Sequence, residues 1–349
     1  MSVPLRCCLP NPMYMTPRSI RFILQAVVLA SSLCTASCIY EYDSCPDRLS
    51  LQIVNDWSED PSAAPGGMAY IFFPDDGAAA WRFDFPGNTA GSVSLPVGNY
   101  SFLSYNDDTA NVLFSEDSGY GEYEAYTATA QLLGAIPASE RGSILPTGHD
   151  GRERVVRPPD ILWGCAYCSV KLHYGGVRYV TTGTSQTVTQ SVFSPDFILT
   201  ALQRPLTAHY TFRIEDIENL SGVSSMSAAL GGMAGSLTLS SGEKGSYPST
   251  LSLKAASLSP TVVGGDFYTF GIPPTPDVAN ILSLFVVIKD GRRFCYEFDV
   301  TDQVRTAPDP MEVLLTVRGL TIEKPDTGDG TGFDVSVDGW QTVTVNIRG

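Results

Sequence analysis

An all-β fold of the sandwich kind is what this sequence predicts, and three observations carry the prediction. Apolar and polar residues alternate with period two in one stretch after another. These stretches recur about every 8–12 residues between Gly, Pro, Asn and Asp clusters, as in sandwiches and barrels. Helical spacing of apolar residues is scarce, while Thr, Ser, Val and Tyr are common. With 43% hydrophobic and 17% charged residues, the chain can bury a core and is not composed like a disordered one. A net charge of −15 argues against nucleic acid, which needs a basic footprint, and against electrostatic binding to anionic lipid.

The chain starts with a leader. Arg18 and Arg21 form a basic flank, and residues 22–33 are apolar except for Gln25, Ser31 and Ser32. A spanning helix needs ~20 apolar residues, so this run is too short and fits a secretory signal. Thr35, Ala36 and Ser37 are small and lead into Cys38, which resembles the bacterial lipobox. That resemblance implies a diacylglycerol on the Cys38 thiol and acyl chains such as palmitate in the outer membrane. Thr35 departs from it, since leucine is usual there. Each buried CH2 stabilises the anchor by ~0.8 kcal/mol, and more than one chain is needed for firm attachment. Two other readings stay open. The leader could be an ordinary secretory signal with an incidental cysteine, or Cys34 could be the lipid site, although bulky Leu33 would then sit at the cut. Residues 1–12 look like an over-extended start, with Met13 or Met15 opening a more ordinary leader.

Removing residues 1–37 leaves roughly 310 residues, enough for two domains. The expected division is a leader over 1–37, a tether over 38–47, one β-sandwich over 48–203 and a second over 204–349. In the first, residues 48–57 alternate Leu49, Leu51 and Ile53 against Ser50 and Gln52. An apolar strand over 68–74 turns at Asp75-Asp76-Gly77, and Trp81, Phe83 and Phe85 alternate in the return arm. Strands follow over 92–97, 100–105 and 112–114. The acidic, tyrosine-rich segment 115–127 reads as an excursion, and 131–159 has no clear period. Val170 and Leu172 alternate in a strand over 165–174, and 177–193 reads as strand, loop and strand.

The second domain opens with a cleanly alternating strand over 206–214. Residues 216–222 read as a short helix or turn that packs Ile217 and Leu220, 224–239 carries Gly231-Gly232 and Gly235, 251–258 alternates polar and apolar, and 267–272 and 281–289 are strongly β. Asp290-Gly291 is the clearest hairpin turn. Residues 302–305 read as one helical turn and 311–322 as a strand. A Gly/Asp linker over 327–332 leads to the terminal strand over 332–347, in which Phe333, Val335, Val337, Val343, Val345 and Ile347 alternate.

Several of these segments together resemble the fimbrillin-like, type V pilus-related surface lipoproteins of Bacteroidales, within a poorly characterised group. They are Asp56-Trp57, Gly67-Met68 with Phe72-Phe73-Pro74, Phe83-Asp84-Phe85, Leu95-Pro96-Val97-Gly98-Asn99-Tyr100 and Tyr105-Asn106-Asp107-Asp108-Thr109. Asp299-Val300-Thr301-Asp302-Gln303-Val304, Gly332-Phe333-Asp334-Val335 and Gly339-Trp340 fit the same group. The resemblance implies two tandem transthyretin-like, Greek-key sandwiches, attachment to the cell surface by the N-terminal lipid, and a non-enzymatic role as fimbrial anchor, tip or minor subunit in adhesion or pilus assembly. In relatives of this kind subunits join by strand exchange after a cut at a basic residue. An added strand supplies ladder hydrogen bonds and fills a trough with alternating side chains. Arg48 is the matching candidate cut site, and the terminal strand the candidate donor. The plainer reading makes Arg48 a solvated strand-edge charge and pairs the terminal strand within its own domain. It is preferred, because anchors keep their lipid.

No catalytic constellation is present, and no cofactor is expected. After loss of the leader, Cys45, Cys165, Cys168 and Cys295 remain, and an exported protein could pair them in disulfides of open connectivity. Cys165-Ala166-Tyr167-Cys168 has redox or zinc spacing, but a second such pair is missing and the histidines are only His149, His173 and His209. The acidic run 326–334 lacks the full calcium-loop pattern and reads as linker, so no metal is expected. Asp75-Asp76 and Asp107-Asp108 sit where turns want Asp. Asp108-Thr109-Ala110 resembles an O-glycan acceptor triplet and equally an ordinary turn. The alternative function is surface glycan binding for nutrient capture, with Tyr105, Tyr120, Tyr123 and Tyr126 as stacking rings.

Overall fold

The computed structural model describes residues 47–116, 118–130, 154–182, 189–275, 277–325 and 340–345. Its first strands are β1 (Arg48–Asp56), β2 (Gly67–Pro74), β3 (Trp81–Pro86), β4 (Ser92–Pro96), β5 (Gly98–Asn106), β6 (Val112–Phe114), β7 (Glu124–Thr127) and β8 (Arg154–Val156). They continue as β9 (Trp163–His173), β10 (Gly176–Thr182), β11 (Thr189–Ser194), β12 (Ile198–Leu202) and β13 (Arg204–Pro205). The second half holds β14 (Ala208–Glu215), β15 (Val223–Ala234), β16 (Ser236–Thr238), β17 (Pro248–Leu253), β18 (Ala256–Ser259) and β19 (Val262–Thr269). It ends with β20 (Ile281–Ile288), β21 (Arg293–Asp299), a helical turn α1 (Thr301–Arg305), β22 (Glu312–Arg318) and β23 (Gln341–Thr344). The all-β reading is borne out.

The first half is layered on β2 and β5. A large sheet runs β11-β10-β9-β5-β2-β3, with β13 on β9. Its one face meets the small sheet β12-β1-β4. Between them lie Leu51 and Ile53, Val93 and Leu95, and Tyr70, Phe72, Phe102 and Tyr167. The continuous apolar run of β2 has a cause. Met68, Tyr70 and Phe72 fill this core, while Ala69 and Ile71 fill a second core on the opposite face. A strand covered on both sides has no polar face to show. The second cover is the excursion itself: β6 and β7, with β16 from the second half, form a small sheet over Leu103 and Tyr105.

The second half is a sandwich of the sheets β18-β19-β14-β22 and β23-β21-β20-β15-β17-β8. Tyr210, Phe212 and Ile214 face Leu282, Leu284, Val286 and Phe298 across it. The Asp290-Gly291 turn joins β20 to β21, with Gly291 at φ 93°, a conformation that suits glycine. A bulge in β15 falls between Leu230 and Met233. There Gly232 takes φ 75°, and Asn280 Nδ2 donates to its carbonyl at 2.9 Å. Among the described residues three pairings cross residue 203: β8 joins β17 in parallel, β16 joins β7 antiparallel, and β13 joins β9 antiparallel.

Polar side chains tie the first sandwich together. The Tyr167 hydroxyl donates to Thr200 O at 2.8 Å and accepts from Leu202 N–H at 3.1 Å. Tyr179, stacked on Tyr167 at 5.5 Å, accepts from Thr200 N–H at 3.2 Å. Both rings start on the large sheet and end on β12. Buried Gln203 donates to Asn55 Oδ1 at 3.0 Å and to Ser104 Oγ at 2.8 Å, and Asn55 donates to the Tyr70 hydroxyl at 2.7 Å. Buried polar groups need such partners, or each costs ~1–3 kcal/mol.

Two stability predictions result. Phe102→Ala empties a site packed by Phe72 and Tyr167 and is expected to cost ~3–5 kcal/mol, whereas Tyr167→Phe strips only the hydroxyl and costs ~1–3 kcal/mol; urea unfolding measures both. Alkali is expected to destabilise the fold. Burial pushes the Tyr70 and Tyr210 phenols up to about 12, and likewise the Cys165 and Cys295 thiols. Unfolded phenols titrate near ~10 and thiols near ~8.5. The folded state then holds the extra protons, so this stability is complete below pH ~8.5 and is lost as pH rises toward about 12. Melting temperatures across this range should fall, and between pH ~8.5 and ~10 they should fall further for the wild type than for a Cys165→Ser variant, which keeps only the Cys295 contribution of these two thiols.

Candidate functional site

The residues singled out in the sequence fall at three places: the root of β1, the terminal strand, and the tyrosine-rich cover. Cys38, Cys45, Phe333, Val335, Val337 and Ile347 lie outside the described residues, as does the whole acidic run 326–334.

Arg48 is the first residue of β1, exposed and opposite Pro96 of β4. Its guanidinium lies 4.5 Å from the Trp81 ring centroid. β1 is the middle strand of its sheet, antiparallel to β4 and parallel to β12. Leu51 and Ile53 are buried beyond Arg48. A cut after Arg48 would therefore remove what precedes β1 but would leave Leu49–Asp56 seated. No described strand would be vacated.

The terminal strand β23 runs parallel to β21, with Val343 opposite Tyr296. It is the outer strand of the six-stranded sheet, and its four side chains are exposed. Residues either side seat it. Val345 N–H donates to Glu297 O at 2.9 Å and its side chain packs on the main core. Trp340 meets Phe285 edge-on at 5.4 Å, over a small cluster with Cys295 and Ala229.

The expected disulfides meet a geometric obstacle. Cys165, Cys168 and Cys295 carry free thiols. Cys165 and Cys168 are three apart on β9, where odd spacing puts side chains on opposite faces: Cys165 packs against the core and Cys168 is exposed. Cys295 lies in the other sandwich, on β21. No two of these three can bridge as placed. Burial raises the Cys165 and Cys295 thiols to about 12, which makes them poor nucleophiles.

The tyrosine stacking surface is also corrected. Tyr105 and Tyr123 are 0% and 1% exposed, and their hydroxyls bond at 2.7 Å. Tyr120 packs on Phe73 at 5.8 Å. These rings are core; of the four, Tyr126 alone is markedly exposed, at 39%. The aspartates are similarly engaged. Asp76 accepts from Ala78 N–H at 2.9 Å, and Asp108 from Gly66 N–H. Thr109 donates its hydroxyl to Val112 O at 3.1 Å, so the triplet is a bonded turn. Burial and Asp84 raise the Asp107 carboxyl, while Arg82, 3.7 Å away, opposes them. Arg82 gathers Asp84, Glu116 and Asp107, a cluster the sequence did not reveal because its members are up to 34 residues apart. Among the described residues no group of three His, Cys, Asp or Glu is placed to hold a metal, and no helix is long and apolar enough to cross a membrane.

Similarity to known proteins places these features. Over 108 residues the chain is 27% identical to a protein of Bacteroides ovatus proposed as the fimbrium anchoring subunit Fim4B. That stretch is 31% of this chain and 28% of the relative, so the chain matches little more than a quarter of the relative's length. The crystal structure of a proposed adhesin from Bacteroides ovatus has the same fold, with a TM-score of 0.57 at 18% identity over 80% of this chain and 94% of that one. The fimbrial anchor protein Mfa2 from Porphyromonas gingivalis scores lower, 0.45 at 11% identity, over 78% of this chain and 90% of that one. The fimbrillin-like resemblance read from the sequence is thus borne out. Residues 37–254, well over half the chain, match one family from end to end of the first sandwich and into the second, and the chain belongs to that family, described as Domain of unknown function (DUF5119).

Proposed function

We propose that the protein is a non-enzymatic lipoprotein of the cell surface that serves as an anchor or minor subunit of a fimbria in adhesion. The observation that carries this reading is the similarity to the fimbrium anchoring subunit of Bacteroides ovatus. The place of β1 supports it. Cys38 precedes Arg48 by ten residues, a span of at most ~35 Å when extended. A lipid on Cys38 would thus hold the first sandwich close to the outer membrane. Ladder hydrogen bonds run across a strand, perpendicular to it in the antiparallel pair with β4 and slanted in the parallel pair with β12. A pull along β1 would load its bonds to β4 and β12 together in shear, so the strand is suited to carry tension. In this reading the terminal strand stays on β21, Arg48 stays uncut, and other fimbrial subunits are the partners.

Labelling cells with an alkyne analogue of palmitate tests the anchor. The wild type and Cys34→Ala are expected to take the label, and Cys38→Ala to lose it and leave the membrane fraction. Label retained in Cys38→Ala would overturn the assignment. Sequencing the mature N-terminus tests processing. The chain isolated from cells should keep residues 39–48, and Arg48→Ala should leave its mass unchanged except for the substitution; a shorter wild-type chain restored to full length by Arg48→Ala would show that the cut occurs.

A further inference from the structure

An open trough of about 720 Å3 lies where β7 and β16 meet the segment entering β17. Its size falls in the ~300–1,000 Å3 range of small-ligand sites. Two tyrosine rings border it. Tyr247 is 75% exposed and Tyr126 39%. Tyr126 stands on a strand whose neighbours Ala125 and Thr127 are buried, so its ring is turned outward by the pleat. Charges in the lining balance: Glu124 and Glu243 against Arg154 and Lys244. Hydroxyls fill much of the rest, including Ser236 and Ser249, the former accepted by Glu124 Oε1 at 3.2 Å.

The backbone beside the rings is already engaged. β16 pairs with β7 on one side. On the other, Thr238 N–H donates to Glu243 O at 2.8 Å and Gly245 N–H to Ser236 O at 3.0 Å. Among the described residues beside the rings, the backbone of β16 is therefore paired on both sides, whereas an incoming peptide strand needs an open edge. The balanced charge offers little to a polyanion, and the hydroxyl-rich lining little to an apolar ligand. Exposed rings among carboxylates and hydroxyls suit a ligand that has flat C–H faces and many O–H groups.

We propose that this trough binds a neutral oligosaccharide. Its pyranose rings lie against Tyr126 and Tyr247, and its hydroxyls donate to Glu124 and Glu243. The site is independent of the anchor reading and gives an anchored protein an adhesive face.

The test is titration calorimetry of the purified protein with maltohexaose, cellohexaose, and mannan and xylan fragments. At least one should bind saturably. Tyr247→Ala should weaken that binding tenfold or more, Tyr126→Ala together with Tyr247→Ala should abolish it, and Tyr174→Ala, a ring 67% exposed outside the trough lining, should leave it intact. Unchanged melting temperatures would show that the variants fold. Raising the salt concentration should leave affinity unchanged. Absence of binding to all four probes, unimpaired binding by the double variant, or a steep loss with salt would overturn the proposal. None of these outcomes bears on lipid labelling at Cys38, so the two readings fail separately.

Discussion

The phenol of Tyr167 crosses the first sandwich and ends on the backbone of β12, and the N-terminal architecture depends on that contact. β12 is the outer strand of a sheet only three strands wide. An outer strand left open is a template for unwanted pairing. Tyr167 and Tyr179 occupy the amides of Thr200 and Leu202 and the carbonyl of Thr200 from the side. They hold β12 against β1 while keeping their rings in the core. Burial raises the Tyr167 phenol well above its ordinary value, so the hydroxyl stays protonated and can donate. β1 is the first described strand of the chain, and these contacts secure the strand beside it.

The second organising constraint is interlacing of the halves. A strand from the first half, β8, completes the six-stranded sheet of the second, and β16 of the second extends the cover over the first. Each half is then stabilised by burial that the other supplies. The cover explains why the acidic, tyrosine-rich segment carries so many rings. Tyr105, Tyr123 and Phe114 line a second apolar core on the back of the large sheet. It leaves Tyr126 facing out, at the trough edge.

The cysteine motif illustrates how function and position part company. Cys165-Ala166-Tyr167-Cys168 draws attention for its two thiols, yet one packs half-buried on the core with its proton held and the other faces solvent on the opposite side of the strand. The residue between them bears the structural weight. Similarly, the terminal strand alternates as a donor would, but its parallel place on β21 and the seating of Trp340 and Val345 make it part of its own sheet.

The sequence by itself determined the all-β class, many of the strands, the hairpin at Asp290-Gly291 and the apolar run of β2. These follow from local rules: period-two alternation, turn chemistry, and apolar runs where no polar face is shown. The sequence did not determine the strands at 124–127, 154–156 and 198–202. Only the tertiary structure decided which strands share a sheet, that Gly98 marks a change of sheet between β4 and β5 rather than a hairpin, and that the excursion is a cover. It alone brought Arg82 to Glu116, Gln203 to Ser104 and Asn55, and Tyr126 and Tyr247 to one trough. Those contacts join residues tens to more than a hundred positions apart. No local pattern encodes them, because each is fixed by how whole sheets pack.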